Sequence, residues 1–454
     1  MTDERDTAHG ALWPYAVNVI IWNYYSTPTL VATEDAFYAL CVDGIVYERR
    51  MHEGGEPVVL RHSNIHSITP NRGACLAITS SGHICTWGEP FNGGGAVPRE
   101  DARIYIDDTR ARGARPMSVY HTPHTFIVPF SDRSKLFLGA TSRWEPNLND
   151  LDLTAVDSLF ANYTSFAALM KDKTVQTWES LLATTYDEPM TYVTKEELTD
   201  VKSIHSTLYA FAALRTGGTV VTWGQNDVGG DSKQVKDELY GIQNICATNS
   251  AFAALRVDGS VVHWGYEHDD GESSVVLGNM TQVTKICATE GVFVALTAGG
   301  TVVTWGSANA GKIDTKVQAY LKGRIITDIH AGGLSFTAIA KHDKRAITWG
   351  YNATKRERFL HATKTGNHDI RHVVSVRDTF LATTASGDVF GWGGDSKMDA
   401  DYTQILNKHR SSIRKRFEMA TGFLPVDSDQ PYLLKEQNLP QHGHKSAEQH
   451  RHAK

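Results

Sequence analysis

"AFAALRVDGSVVHWG", from Ala251 to Gly265, decides the fold because the chain contains it three times in closely similar form. The related stretch "AFAALRTGGTVVTWG" runs from Ala210 to Gly224, and "VFVALTAGGTVVTWG" runs from Val292 to Gly306. Successive copies begin 41 residues apart. A stretch that recurs at a fixed interval indicates a repeated structural unit rather than a catalytic motif.

Two positions define the repeat over most of the chain: an aromatic residue near the start of the stretch and a tryptophan near its end. Nine copies, spaced 38 to 51 residues apart, align on the first position, at Phe37, Cys75, Phe126, Phe166, Phe211, Phe252, Phe293, Phe336 and Phe380. Seven of the copies have the tryptophan, at Trp87, Trp178, Trp223, Trp264, Trp305, Trp349 and Trp392. Arg49 and Leu138 take its place in the first and third copies. We expect these residues to form the structural core of the repeat.

Each copy predicts three short strands. "NICAT" (Asn244–Thr248) has apolar residues on one face, and "AFAALR" is apolar on both faces, which is typical of a strand covered above and below. "VDGS" predicts a two-residue hairpin turn, after which "SVVHW" returns as the third strand. A unit of three short strands cannot bury both of its faces alone, so neighbouring units must stack.

A closed ring of such units leaves no bare end, and the sequence therefore predicts an all-β fold, a β-propeller of short blades. We expect an N-terminal strand, "AVNVIIWN" (Ala16–Asn23), to pair with the last blade and close the ring. An open stack is the alternative, and it would need polar caps at both ends. The predicted organisation is a disordered N-terminus (1–15), the propeller (16–394) and a C-terminal region (395–454).

The C-terminal region departs from the repeat. "YTQILNKHRSSIRKRFEMATGF" (Tyr402–Phe423) places Leu406, Ile413 and Phe417 at near-helical spacing among basic residues, which predicts a basic helix packed beside the propeller. A partner-binding or nuclear-import segment is the alternative. The polar stretch that follows ends with four histidines and predicts a disordered tail: His442, His444, His450 and His452.

Composition narrows the function classes. The formal net charge is −6, which argues against a broad nucleic-acid surface. The chain begins with an acidic, polar stretch and has no apolar run long enough to cross a membrane, so we expect neither export nor anchoring. The five cysteines are scattered and form no C-x-x-C pair, which predicts reduced, buried thiols. We expect a monomeric cytoplasmic protein, or alternatively a nuclear one, without cofactor or metal.

The segment "ALRTGGTVVTWGQNDVGG" (Ala213–Gly230) resembles the repeat of the regulator of chromosome condensation family, and the resemblance extends over about residues 16–394. The family pattern ends in Gln-Leu-Gly, whereas Gly230 and Asp231 stand where the Gln and Leu would be. Units near 41 residues are closer in length to those of the compact propellers of that family. Seven blades are usual in the family and nine copies are present here, so together with the resemblance we expect seven to nine blades. The resemblance implies a platform whose rim loops bind another protein, and fold alone does not select the partner.

Two insertions are the main candidates for partner binding. The longer one, at residues 95–116, is rich in charges around a short apolar centre and resembles the hairpin that an exchange factor of the family inserts into its GTPase. The second lies at residues 180–200 and is acidic. An ordinary solvated loop is the alternative for both. The candidate side chains are Arg99, Arg103, Tyr105, Asp107, Asp108, Arg110 and Arg112 in the first insertion, and Tyr186 and Tyr192 in the second.

The loops between the first and second strands form another candidate rim, and an ordinary exposed turn is the alternative. Its residues are Thr33, Glu34, Asp35, Asn249, Ser250, Thr289, Glu290, Arg377 and Asp378. His205 and His330 occupy the same position of the first strand, which favours packing over metal ligation. The repeats contain no Ser/His/Asp set and no paired carboxylates. We therefore expect a non-catalytic propeller that binds a protein partner; the alternatives are guanine-nucleotide exchange on a small GTPase through residues 95–116, and a protein inhibitor.

Overall fold

Thirty strands in the described part of the chain form nine antiparallel sheets. The computed structural model describes residues 28–33, 36–50, 58–60, 64–95, 113–122, 124–139, 151–162, 165–179, 190–266, 280–307, 312–342, 345–352, 357–365, 370–376, 379–393, 403–413 and 415.

Each sheet is one blade of three or four strands, and each blade is built from one continuous segment. Blades one to three comprise β1 (Thr29–Ala32), β2 (Ala36–Leu40), β3 (Val46–Arg50) and β4 (Val58–Leu60); β5 (Ile65–Pro70), β6 (Ala74–Thr79) and β7 (Ile84–Gly88); and β8 (Tyr120–His121), β9 (Thr125–Pro129) and β10 (Lys135–Gly139). Blades four to six comprise β11 (Val156–Ala161), β12 (Ser165–Met170) and β13 (Val175–Glu179); β14 (Met190–Thr191), β15 (Val201–Ser206), β16 (Ala210–Arg215) and β17 (Val220–Gln225); and β18 (Ile242–Ala247), β19 (Ala251–Arg256) and β20 (Val261–Gly265). Blades seven to nine comprise β21 (Val283–Ala288), β22 (Val292–Thr297) and β23 (Val302–Gly306); β24 (Ile326–Ala331), β25 (Ser335–Ala340), β26 (Arg345–Asn352) and β27 (Glu357–Lys364); and β28 (Ile370–Val376), β29 (Thr379–Thr384) and β30 (Val389–Gly393).

Helices occur in the connections and after the last blade. Short 3₁₀ turns span Pro90–Asn92, Asn226–Val228 and Lys233–Glu238, and the helix α1 spans Thr315–Leu321. A second helix, α2, spans residues 403–413. Among the described helices, none is long and apolar enough to cross a bilayer.

The two repeat anchors lie opposite each other in the sheets. In blade six, Phe252 of β19 pairs with Trp264 of β20, and their rings stack with centroids 5.2 Å apart. The indole Nε1 of Trp264 donates to the carbonyl of Gly229 in the preceding connection (3.1 Å). Stacking within the blade recurs in the pairs Phe211–Trp223, Phe293–Trp305 and Phe380–Trp392, and it explains why the aromatic residue and the tryptophan recur together.

The hairpin turn differs from the two-residue turn that the sequence predicts. The N–H of Arg256 donates to the carbonyl of Ser260 (2.9 Å), so the loop has three residues, Val257–Gly259. Within this loop only Gly259 has a positive φ, +82°. A Cβ there would also lie 2.9 Å from the Cα of Gln282 in the next blade. The prediction was wrong by one residue, because a type I turn followed by a left-handed glycine is the second common way to close a hairpin.

The same turns connect neighbouring blades. The carbonyl of Gly259 accepts a hydrogen bond from the N–H of Val283, the first residue of the next blade (2.9 Å). Gly218 and Gly300 make equivalent bonds to the first residues of blades six and eight. These bonds place each first strand beside the previous blade, so that the first strands surround a common axis.

The ring is closed by contact between its first and last blades. Nine buried apolar clusters lie between neighbouring blades of the described chain. An open stack has one interface fewer than it has units, whereas here the ninth cluster joins Leu30 and Phe37 of blade one to Val376 and Leu381 of blade nine. The prediction of an all-β propeller is confirmed, and the described blades number nine.

The helix α2 crosses this closing interface. Leu406 is buried in the cluster shared by blades one and nine. The side chain of Asn407 accepts from the N–H of Val389 (2.8 Å) and donates to its carbonyl (2.9 Å). On the other side, Nε2 of His409 lies 3.0 Å from Oδ2 of Asp43 in blade one. The predicted closing strand, Ala16–Asn23, lies outside the described residues, as do the N-terminus (1–15) and residues 416–454 with the four tail histidines.

Candidate binding faces and central channel

The ring has two faces, which differ in the loops that they present. We call the end at which second strands turn into third strands the turn face, and the end at which first strands lead into second strands the loop face. The first strands of neighbouring blades lie side by side and form the wall of the central channel. A ligand on the axis would therefore meet the first strands and one of the two sets of loops.

A β-bulge recurs at the start of the first strand, and the sequence pattern was not recognised as predicting it. In blade six the bulge lies between Ile242 and Asn244, and the extra residue is Gln243. Its side-chain amide donates to the carbonyl of Arg256 (3.1 Å). The extra residue is exposed in each of the seven bulged blades and points to the turn face: His66, Asp157, Lys202, Gln243, Thr284, Thr327 and Arg371.

The channel wall has one compact charged cluster, between blades seven and eight. Nζ of Lys285 lies 2.6 Å from Oδ1 of Asp328, and Nε2 of His330 lies 3.1 Å from Oδ2 of the same carboxylate. Burial raises the pKa of Asp328, but the neighbouring His330 and Lys285 outweigh burial and hold this pKa well below the usual range of a carboxyl. The carboxylate is therefore ionised and held by its two neighbours.

The thiols of the channel wall are held in a protonated state. Sγ of Cys246 donates to the carbonyl of Ile286 in the next blade (3.2 Å), and Cys287 points at the carbonyl of Ile329 in the same way (3.6 Å). Burial raises the pKa of Cys246 to about 12 and that of Cys287 to about 11. Since the thiolate is the nucleophile, these groups are suited to packing rather than to covalent catalysis.

Among the histidines of the first strands, His205 is held in its uncharged form by burial. Nε2 of His205 lies 3.1 Å from the hydroxyl of Ser203 on the same strand, and burial lowers the pKa of His205 to about 4. His330 occupies the equivalent position of blade eight. Within the described residues, no group of three or more His, Cys, Asp or Glu side chains is placed to hold a metal ion.

Side-chain caps fix the loops of the loop face. In blade six, Oγ1 of Thr248 accepts the N–H of Ala251 (3.0 Å). A threonine or asparagine makes the same bond to the N–H three residues later in six blades: Thr33, Asn71, Asn162, Thr207, Thr248 and Thr289. Such a bond holds the backbone in a turn, so the loops that follow the first strands share one shape.

Backbone hydrogen bonds run from loop to loop across three interfaces of this face. The N–H of Leu208 donates to the carbonyl of Asn249 (3.0 Å), and the N–H of Asn249 donates to the carbonyl of Glu290 (2.8 Å). The N–H of Glu290 then donates to the carbonyl of Gly333 (3.2 Å). We call this series the loop ladder. It fixes the loops of blades five to eight relative to one another.

A cavity of about 310 Å³ opens at this end of the channel. It is lined by the ends of the first strands and by the loops of five consecutive blades, four to eight, of which the loops of blades four to seven are capped: residues Ala161, Asn162, Ser206, Thr207, Leu208, Ala247, Thr248, Asn249, Ala288, Thr289, Glu290, Gly332 and Gly333. The lining is mixed: alanine, leucine and glycine contribute apolar surface beside the hydroxyl, amide and backbone groups, and Glu290 is its one carboxylate. The arrangement provides donors and acceptors for binding but no pair of groups for acid–base chemistry.

The structure describes only some of the residues that the sequence proposes for partner binding. Arg99, Arg103, Tyr105, Asp107, Asp108, Arg110 and Arg112 lie outside the described residues, and so does Tyr186. Tyr192 is described and is 72% exposed. It follows β14, which pairs with β17 at the outer edge of blade five and is therefore remote from the channel. Of the rim loops, Asn249, Thr289 and Glu290 line the cavity together.

The repeat aromatics lie between the blades. The rings of Phe211, Phe252, Phe293, Phe336 and Phe380 are fully buried. Six of the seven tryptophans are buried as well, at positions Trp87, Trp223, Trp264, Trp305, Trp349 and Trp392. Trp178 is half-buried in the outer strand of blade four. In the blades without the tryptophan, Arg49 lies opposite Phe37 and Leu138 lies opposite Phe126.

Known structures that resemble the chain are propellers. The CRINKLY WD40 ectodomain of the receptor kinase ACR4 from Arabidopsis thaliana matches with 15% identity over 62% of this chain and 96% of its own, with a TM-score of 0.33. Human WBSCR16 matches with 13% identity over 74% of this chain and 91% of its own, with a TM-score of 0.40. Prp20p from Saccharomyces cerevisiae, whose binding to Gsp1p and histones has been studied, matches with 13% identity over 85% of this chain and 98% of its own, with a TM-score of 0.37.

No protein-family model and no curated protein matches the chain. The assignment to the β-propellers therefore rests on the nine sheets and nine interblade clusters of the chain itself.

Proposed function

We propose that this chain is a non-catalytic propeller that binds a protein partner on its loop face, over the mouth of the channel at blades four to eight. The observation that carries the proposal is the cavity formed by the loops of these five blades, four of which are fixed by side-chain caps. A site assembled from several rigid loops is a common way for a repeat scaffold to build a binding surface.

The chemistry of the cavity favours a polypeptide ligand. Its amide, hydroxyl and backbone groups match the donors and acceptors of an extended peptide segment or loop, and its alanine and leucine side chains provide apolar contacts. The loop ladder and the side-chain caps hold the surface in place before a partner arrives, which lowers the ordering cost of binding. In the channel wall the thiols are protonated and Asp328 is already paired, and this supports binding rather than turnover.

The experiment compares two faces of the same ring. Asn249→Arg places a large charged side chain in the cavity, whereas Val257→Arg places the same side chain at a position of the turn face that is 74% exposed. Tagged full-length proteins are used to capture partners from an extract, and the captured proteins are quantified by mass spectrometry. We expect Asn249→Arg to lose partners that the wild type and Val257→Arg both retain. Equal capture by both variants would reject the loop face as the binding site.

The sequence also suggests a family, a cellular location and two alternative activities for this chain. We propose that the chain is a distant relative of the regulator of chromosome condensation family, and that it acts in the cytoplasm or nucleus as a monomer. Nucleotide exchange on a small GTPase would depend on residues 95–116, most of which lie outside the described residues, and inhibition of an enzyme is the other alternative. Fluorescent-nucleotide release from candidate GTPases, with and without residues 96–112, tests the exchange activity.

A further inference from the structure

A basic cleft lies on the turn face of blade eight, at the opposite end of the ring from the loop-face cavity. It has a volume of about 270 Å³ and is lined by Lys322, Gly323, Arg324, Ile325, Ala340 and His342. Three of these side chains are basic, and the lining contains no carboxylate among the described residues. The cleft is therefore a basic patch on a chain whose formal net charge is −6.

The cleft is built by two segments that the backbone holds together. Residues 322–325 follow α1 and lead into β24, and residues 340–342 form the start of the hairpin turn after β25. The N–H of Lys341 donates to the carbonyl of Ile325 (2.9 Å). This bond holds together the two segments that carry Lys322 and His342, although these residues lie twenty positions apart in sequence.

The floor of the cleft is rigid and open. The guanidinium of Arg324 lies 4.2 Å over the ring of Tyr320 and donates to the Tyr320 carbonyl, so its position is set by α1. Gly323 has a φ of +78°, and a Cβ at this position would meet no atom within 4 Å. The open space above Gly323 leaves room for a ligand between the basic side chains.

We propose that this cleft binds a phosphate monoester carried by a protein segment, namely a phosphorylated serine or threonine next to an apolar residue. A phosphate monoester carries close to two negative charges near neutral pH and forms charge-assisted hydrogen bonds with clustered basic side chains. Ile325 is 44% exposed at the edge of the cleft and provides the apolar contact for the neighbouring residue.

Nucleic acid fits this surface less well. A nucleic-acid backbone is bound by a row of basic groups that follows successive phosphates. On the turn face, the adjoining blade seven presents the exposed small residues Ala298 and Gly299 at its hairpin. The described basic side chains of the cleft are thus confined to one blade, which suits a single phosphate. Asp343 and Lys344, which follow His342, lie outside the described residues.

The test uses a fluorescently labelled synthetic peptide with one phosphoserine flanked by leucines, its unphosphorylated form, and inorganic phosphate as a competitor. Binding to the full chain is followed by fluorescence anisotropy. The test variant is the double substitution Lys322→Gln with His342→Gln, and Lys316→Gln is the matched control, because Lys316 is exposed on α1 outside the cleft. Thermal melting verifies that each variant is folded.

We expect the phosphopeptide to bind the wild type and Lys316→Gln equally and to bind the double variant about tenfold or more weakly, since two charge-assisted contacts are lost. The unphosphorylated peptide should bind at least about tenfold more weakly than the phosphopeptide. Equal binding of the two peptides, equal binding by the double variant and Lys316→Gln, or no binding at all would overturn the proposal. If inorganic phosphate binds as tightly as the phosphopeptide, the site is a free-phosphate site and the protein-borne source is overturned.

Discussion

The interfaces among blades five to eight and the interface between blades nine and one are held together in different ways. Between blades five and eight, the same interactions recur: a glycine carbonyl accepts the first N–H of the next blade, and loop N–H groups donate to the next loop on the loop face. At the closing interface, the helix α2 supplies Leu406, Asn407 and His409, none of which belongs to the repeat.

The difference follows from what a repeat can encode. Equivalent residues can form equivalent contacts with the next copy, so one local sequence pattern builds the interfaces among blades five to eight. The closing interface joins blade nine, which keeps the pattern with Phe380 opposite Trp392, to blade one, where Phe37 lies opposite Arg49 rather than a tryptophan. A segment outside the repeat is then the simplest way to cover the junction, and α2 is anchored on both of its sides.

Removal of a repeat tryptophan should have the largest effect. We expect Trp264→Ala to lower the free energy of unfolding by ~3–5 kcal/mol, as is usual for a large buried aromatic residue. Trp264 is 5% exposed, stacks on Phe252 and donates to Gly229. Chemical denaturation of the full chain measures the loss. Trp178→Ala is the control, because Trp178 is half-buried and should cost clearly less; equal losses would show that burial does not distinguish the two positions.

The stability of the closing interface should depend on Leu406, with an expected loss somewhat smaller than that for Trp264→Ala. Leu406→Ala removes buried methyl groups from the cluster between blades one and nine, and we expect a loss of ~2–4 kcal/mol. The control is Gln404→Ala on the exposed side of α2. If denaturation shows that Leu406→Ala costs no more than Gln404→Ala, α2 does not stabilise the closure.

Acid should weaken the interface between blades six and seven through the buried His263. Burial lowers the pKa of His263 to about 4, and its ring packs against the edge of Phe293 in the next blade (5.5 Å between centroids). In the unfolded chain this histidine binds a proton near pH 6.5, whereas in the folded chain it does so only near pH 4. Protonation of His263 therefore does not lower the free energy of unfolding above pH 6.5, and lowers it progressively as the pH falls from 6.5 towards 4. The loss is about 3 kcal/mol at most, given 1.36 kcal/mol for each pKa unit.

The variant that tests this effect is His263→Thr, because threonine occupies the equivalent position of blades two, five and seven. We expect the variant to lose less stability than the wild type between pH 7 and pH 4.5. Identical pH profiles in urea denaturation would show that His263 does not resist protonation in the folded state.

A smaller effect is expected at Asn407, whose amide bonds both the N–H and the carbonyl of Val389. Asn407→Ala leaves these two backbone groups of the last strand without that partner, and we expect a cost of ~1–3 kcal/mol. Hydrogen exchange at the amide of Val389 is the specific readout and should become faster. Unchanged exchange at Val389, with Lys408→Ala as the control on the same helix, would contradict the bond.

The repeat made the fold predictable, because nine copies with two aligned positions require neighbouring units of the same shape. The bulge was missed, although its signal is in the sequence: Ile242 and Ile245 are spaced three residues apart where a regular strand would place apolar residues two apart. The loop ladder could not be predicted, because backbone groups of different blades form it and no residue type is specific for it.

The candidate sites were only partly predictable. Asn249, Thr289 and Glu290 could be named from their loop position, but the cavity depends on how five blades converge. The basic cleft was not recognised, because Lys322 and His342 come from segments that only the fold brings together. The role of α2 in closure likewise depends on contacts between residues more than three hundred positions apart, such as Asp43 and His409.

The central claim, that the first and last blades meet in a closed ring, is tested most directly by a crosslink between blade one and α2. Asp43→Cys and His409→Cys are introduced together, because the native side chains approach to 3.0 Å, and a short thiol-to-thiol crosslinker is applied to the folded protein. Peptide mass spectrometry should find positions 43 and 409 joined within one chain. A chain with Val257→Cys in place of Asp43→Cys should give no such link, since position 257 lies in blade six. Absence of the 43–409 link in the folded protein would contradict the closed ring.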